Sequence, residues 1–228
     1  VPLTWSTSWH TVAAAAIALG LWAWSRGRPR WAGVAFGAAG ATVLSTLAVL
    51  VALLIVAALR GRGSRANTRR GAGGLADTFA ASVLTWLALS GVRLLGDPDA
   101  GFAWWVRAVD AGSVWMLVSQ SFDTTLSAAR VTLAAAVLWV LWAAWVAWWL
   151  RGSRGPRWGE GPHQVRTVAS VALLLVGGAV LLVGWAPPGL GLVLVPLAAF
   201  AVPRWGPLLV WQACEVIHFV LTGWYSAG

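Results

Sequence analysis

Glu215 and His218 stand three residues apart in WQACEVIHFVLTGWYSAG (211–228), a stretch otherwise apolar enough for a membrane interior. On a helix, Glu-x-x-His puts a carboxylate and an imidazole on one face, which is half of a di-metal carboxylate site or a link in a proton relay. A di-metal site needs a second such motif and further Glu side chains, and the only other Glu of the chain is Glu160, in an Arg-rich loop. No metal and no other cofactor is therefore expected. Glu215 and His218 read as a structural polar pair, with Glu215 facing other helices, protonated or hydrogen-bonded to His218, Gln212 or a backbone carbonyl.

A second set of polar residues could do different chemistry: Ser8, His10, Arg107, Asp110, Ser113, Gln120 and Asp123. A site for a sugar or a phosphate would gather a carboxylate for acid–base work and an Arg for the anion. Taken singly, each of these residues is expected to be a solvated interface group. No nucleophile elbow, phosphate-binding loop, HExxH zinc motif or dinucleotide fingerprint occurs in the chain. Cys214 is alone, which excludes a disulfide framework within the chain.

The elements that must position these groups follow from composition. Apolar residues make up 59% of the 228 and charged residues 10%, with a mean hydropathy of +0.76, against roughly one-quarter charged residues in a soluble domain. The fold class expected is all-α, a polytopic transmembrane helical bundle, because lipid leaves an open chain no other way to satisfy its backbone. Apolar segments run over about 9–25, 31–59, 76–95, 131–150, 167–186, 189–202 and 207–224, each bounded by Arg, Gly or Pro. At roughly 20 residues per crossing they amount to about six to eight membrane helices in a single transmembrane domain, 1–228.

Charge sets the sides. All 16 basic residues are Arg, giving a formal charge of +9. RGRPR (26–30), RGRGSRANTRR (60–70), RGSRGPR (151–157), Arg166 and Arg204 abut apolar segments and are expected in the cytoplasm, attracted to anionic lipid rather than nucleic acid. The loop 96–130 carries Asp97, Asp99, Asp110 and Asp123 and is expected outside, with 102–115 lying along the interface. The all-Arg usage, with the Ala, Gly and Trp load, points to a GC-rich bacterial source and so to the plasma membrane.

One segment conflicts with a single crossing. If 31–59 crossed once, RGRPR and the 60–70 cluster would face opposite sides, yet it is too short for two crossings of about 20 residues each. A broken, re-entrant pair of short helices resolves this, with the break expected near Gly37, Gly40, Thr42, Ser45 and Thr46. The alternative is one long tilted helix.

Most of the 19 Trp map to the two membrane boundaries. Trp139, Trp142, Trp145 and Trp148 recur at three-residue steps and are read either as packed or lipid-facing aromatics or as the lining of a groove for an isoprenoid or acyl chain.

SWHTVAAAAIALGLWAWSRGRPRWAGVAFGAAGATVLSTLAVL (8–50), RAVDAGSVWML (107–117) and PLAAFAVPRWGPLLVWQACEVIHF (196–219) occur in an order that resembles the polyprenol-phosphate-mannose-dependent membrane glycosyltransferases of the GT-C class, in particular the actinobacterial mannosyltransferase-like branch. The frame matches at Trp9, Arg26-Gly27-Arg28-Pro29, Ala32-Gly33, Gly37 and Thr42, then at Arg107, Asp110, Gly112, Ser113 and Trp115, and at the Trp-Gln-x-x-Glu opening of the last helix. It departs from the family where Ser8 and His10 replace Asn and Asp, and where Val43, Ser45 and Thr46 replace the Lys, Tyr and Pro of a Thr-Lys-x-Tyr-Pro turn.

The resemblance implies that the chain corresponds to the C-terminal part of such an enzyme, whose catalytic carboxylate lies in an earlier outer loop. It also implies that the 31–59 segment turns at the outer active site. By the same resemblance the partners are a polyprenol-phosphate sugar donor, a lipid or glycan acceptor, and membrane lipid. Arg107 would hold the phosphate, and Asp110, Ser113 and His10 would contact substrate. Two other functions compete. The replaced polar positions favour a non-catalytic protein of the same fold that binds lipid or a partner. A transporter subunit is the third, although transporters carry more ionisable groups within their spans.

Overall fold

A computed structural model describes residues 2–60, 68–96, 113–122, 125–152, 162–182 and 190–202, with 206, 209–210, 213–214 and 217. Among these residues every regular element is helical: α1 (Pro2–Ser25), α2 (Pro29–Thr42), a 3₁₀ turn (Leu44–Leu47), α3 (Ala48–Arg60), α4 (Thr68–Gly96), α5 (Val114–Ser121), α6 (Ala128–Gly152), α7 (Pro162–Leu182), a second 3₁₀ turn (Leu190–Val193) and α8 (Leu194–Ala201). Three of the helices contain stretches long and apolar enough to cross a membrane, Gly73–Val92, Ala128–Gly152 and Val165–Leu182. The protein is thus a helical, membrane-type chain, as its composition requires. α2 has 14 residues and α3 has 13, so each is about 20 Å long, short of a hydrocarbon core of about 30 Å.

The helix ends follow from local sequence. α1 stops at Arg26-Gly27-Arg28-Pro29: Gly27 takes the left-handed conformation at φ 66, which a side chain would oppose. Its N–H donates to Trp24 O (3.1 Å), and the Arg28 N–H donates to Ala23 O (3.0 Å), closing the last turn. Pro29 then opens α2, where a missing N–H costs nothing. Arg26 lies over the Trp22 ring at 5.4 Å from its centroid.

The core is shared by Ile17 and Leu21 of α1, Phe36 of α2, Val49 and Leu53 of α3, Val168 and Leu175 of α7, and Leu197 of α8, all nearly or wholly buried. α4 and α6 flank this core. Only 11% of the α4 span and 17% of the α6 span is buried, against 39% for α7, so among the described residues the first two are left uncovered over most of their circumference. α8 runs antiparallel to α7, since the Arg166 Nε–H near the start of α7 donates to Ala201 O at the end of α8 (3.2 Å). A cation there also suits the helix C-terminus.

α2 and α4 pack in parallel, because contacts rise together along both: Gly74 lies beside Pro29, Thr78 and Ala81 beside Gly33, and Ser82 and Thr85 beside Gly37. The buried hydroxyls of Thr78 and Ser82 bond across this seam, Thr78 Oγ1 donating to Pro29 O (3.1 Å) or Gly74 O of its own helix (2.8 Å) and Ser82 Oγ donating to Gly33 O (2.9 Å). At the mouth of the seam Arg30 Nε meets Asp77 Oδ2 at 3.2 Å, with the two side chains 80% and 44% exposed. A pair so exposed contributes about 0–1 kcal/mol. Asp77→Ala is expected to change thermal stability in detergent by less than about 1 kcal/mol; a larger loss would assign the α2–α4 docking to this ion pair instead of the seam.

Parallel packing also settles the path of the chain through 31–59. α2 starts beside the start of α4 and ends some 20 Å away. Had α3 continued onward, the link from Arg60 to Thr68 would have to span well over 40 Å, and about eight Cα–Cα steps reach at most about 30 Å. α3 therefore returns toward the start of α4, and the chain reverses at the interruption after Thr42. The expected helix break is present at Val43, within the stretch named for it. α2 runs unbroken through Gly37 and Gly40, which serve as close-contact positions instead.

Candidate functional site at the interrupted helix

The interruption is built by Thr42, Val43, Ser45 and Thr46. Val43 is extended (φ −140, ψ 106), and its N–H still donates to Ala39 O (2.8 Å). Thr42 Oγ1 donates to the same carbonyl (2.8 Å), and Thr46 Oγ1 donates to Val43 O (2.7 Å). Val43 O also takes the Thr46 N–H (3.0 Å), so each threonine hydroxyl adds a second donor to a carbonyl that already has a backbone partner. Leu47 folds back over Gly40, where any Cβ would meet its Cγ at 2.8 Å. Thr42 and Thr46 are 7% and 1% exposed, so the reversal is enclosed by protein.

Two further polar groups near this end of the bundle are buried. Among the described residues, Ser45 Oγ is buried with no hydrogen-bond partner, which strain, a bound water or ion, or a ligand would account for. His10 on α1 is 5% exposed. α1 runs antiparallel to α2, with Gly20 against Phe36, so His10 lies about 15 Å from Gly20 along α1. That carries it past the level of Thr42, toward the end of the bundle where α1 begins. The interruption can offer hydroxyl and backbone groups to a polar ligand, but Val43 leaves it without an ionisable side chain.

Ser113 is also buried, at 5%, and precedes α5 in extended conformation (φ −98, ψ 150) without capping that helix through its side chain. Two residues on, the Trp115 indole donates to Leu182 O (2.7 Å) and ties α5 to the end of α7. His10 and Ser113, both engaged with neighbouring groups, are therefore interior residues and not the solvated interface groups expected. Gln120 is exposed. Arg107, Asp110, Glu215 and His218 lie outside the described residues, as do Asp123 and most of the 102–115 segment. Among the described residues no three His, Cys, Asp or Glu side chains converge as a metal site would require.

The tryptophan stripe is packed against α7 at one end and exposed at the other. Trp139 Nε1 donates to Leu175 O (2.9 Å) and Trp142 Nε1 to Leu174 O (3.0 Å), both on α7. Trp145, Trp148 and Trp149 are about half or more exposed. Trp145 stacks on Trp142, with ring centroids 5.0 Å apart, and on Trp149, at 6.5 Å.

The α2–α4 seam escaped the sequence reading although its signals are plain once known. Gly33-x-x-x-Gly37 and Thr78-x-x-x-Ser82 share a four-residue spacing. In a helix the carbonyl of residue i points toward residue i+4. Gly33 therefore uncovers Pro29 O for Thr78, Gly37 uncovers Gly33 O for Ser82, and Gly178 uncovers Leu174 O for Trp142. No family model, curated relative or solved structure matches this chain.

Proposed function

We propose that the chain forms the membrane portion of a glycosyltransferase that moves a mannose-like sugar from a polyprenol-phosphate donor to a lipid or glycan acceptor outside the cytoplasm. The observation that carries this reading is the chain reversal at Thr42–Leu47, at the position where the resembling family has its Thr-Lys-x-Tyr-Pro turn. Charge conflict in the sequence pointed to a reversal there independently of any family. α1, the α2–α3 pair and α8 would complete a bundle of about six to eight membrane segments, with the Arg-rich loops in the cytoplasm and 96–130 outside.

In this reading Arg107 holds the leaving phosphate and Asp110, Ser113 and His10 contact the sugar or acceptor. A carboxylate from another part of the enzyme removes the acceptor proton. Membranes carrying the intact gene product are expected to transfer label from polyprenol-phosphate mannose, and Arg107→Ala to lower that transfer by about 10²-fold or more. Transfer unaffected by Arg107→Ala would remove this residue from the site, and an inert wild type would remove the reading.

A second reading, a non-catalytic lipid- or partner-binding protein of the same helical build, is favoured by one observation. The interruption holds Val43 where the family has Lys, and its threonine hydroxyls are taken up by the helix's own carbonyls. An inert wild type that nonetheless binds the polyprenol-phosphate donor would select it.

A further inference from the structure

We propose that the cleft between the starts of α2 and α4 binds the phosphodiester headgroup of an anionic lipid. The cleft measures about 360 Å³ and is lined by Arg28, Pro29, Arg30, Trp31 and Asp77, at the small end of the range for ligand sites. Its charge is unbalanced. Among the described residues, Arg28 and Arg30 face one lining carboxylate, Asp77, and the bond to Asp77 uses Nε of Arg30. A guanidinium carries five N–H donors, so the terminal nitrogens of Arg30 and the whole fork of Arg28 remain available to an anion. One surplus positive charge matches one phosphodiester, and the planar forks suit its paired oxygens.

Position selects lipid over a soluble phosphate. The Gly73–Val92 stretch that begins at the cleft is apolar and membrane-length, and beyond Asp77 it exposes Val83, Leu84 and Leu87. A headgroup seated at Asp77 could therefore lay its acyl chains along the outward face of α4. Trp31, 67% exposed, and Trp22, 47% exposed beneath Arg26, supply the indoles that favour headgroup depth. The inference is independent of the glycosyltransferase reading and requires only that α4 crosses a membrane.

The test is native mass spectrometry of the full chain released from bilayers of phosphatidylcholine with phosphatidylglycerol. Wild type is expected to retain phosphatidylglycerol in preference to phosphatidylcholine. Arg28→Gln with Arg30→Gln should lower that retention roughly tenfold or more, while Arg151→Gln, at the end of α6, leaves it unchanged. Asp77→Asn, which removes the competing carboxylate, should raise it; this arm decides the matter even if the double variant folds poorly. Equal retention of the two lipids by wild type overturns the proposal. So does retention that falls or stays level in Asp77→Asn, or displacement of the lipid by millimolar inorganic phosphate, which would make the cleft a soluble-anion site.

Discussion

Gly33→Leu is expected to separate α4 from α2 and to lower the stability of the protein in detergent by about 3 kcal/mol or more. Overfilling a packed contact costs about 1–3 kcal/mol, and here the first atom of the new side chain already falls against Thr78 O and within 2.7 Å of the Ala81 Cβ. A backbone oxygen cannot rotate aside, so the helices must part. Parting them forfeits the Thr78 and Ser82 bonds to α2, each worth roughly 0.6 kcal/mol in a membrane. Gly37→Leu meets Ser82 O and the Thr85 Cβ at 2.9 Å and should behave alike. Gly91→Ala on α4 meets nothing within 4 Å and is expected to stabilise the helix by up to about 1 kcal/mol. Thermal unfolding of the three variants checks the claim. A Gly33→Leu protein as stable as wild type would show that the seam does not hold α4 in place.

The second large effect is expected at the α6–α7 contact. α6 exposes Leu133, Val137, Leu138, Val140 and Leu141 on its outward side and meets α7 through Trp139 and Trp142. Lipid is as apolar as these side chains, so no hydrophobic force drives α6 inward; packing and hydrogen bonds must do it. The Trp142 indole lies where a Cβ on Gly178 would come within 2.7 Å of Cδ1 and Nε1, so the ring is seated in the notch left by that glycine. Replacing both Trp139 and Trp142 by Leu is expected to cost about 3 kcal/mol, and replacing both by Phe, which keeps a ring and removes the donor, about 1–2 kcal/mol. Amide exchange should rise along α6 while α1 and α2 stay protected. No change in either double variant would show that α6 is held by contacts the indoles do not make.

Much of the helical frame was legible in the chain. The apolar segments expected at 9–25, 76–95 and 131–150 fall within α1, α4 and α6, and α7 covers the one expected at 167–186 as far as Leu182. Gly27 and Pro29 mark a helix end and start by rules that act on one or two residues. The reversal in 31–59 was legible too, because arginine clusters at both ends of a segment too short to cross twice are a conflict that any fold must resolve. The break falls at Val43, inside the stretch expected for it; the close-contact role of Gly37 and Gly40 was not legible, since glycines in a row of apolar residues suggest a weak helix as readily as a close contact. His10 and Ser113 were misjudged in burial, because a lone polar residue near a span's end carries no sign of which way it faces.

Composition and charge alone determined that this protein is helical and membrane-like, because those features rest on averages over many residues and on the cost of an unsatisfied backbone in lipid; they pointed to a reversal within 31–59, with one tilted helix as the alternative. Only the tertiary structure decided what the small and polar residues do. A helix that is apolar all round gives no facial pattern to read, so whether Gly33 bends a helix or uncovers a carbonyl, and whether Trp142 faces lipid or donates to Leu174, depends on the neighbour across the contact.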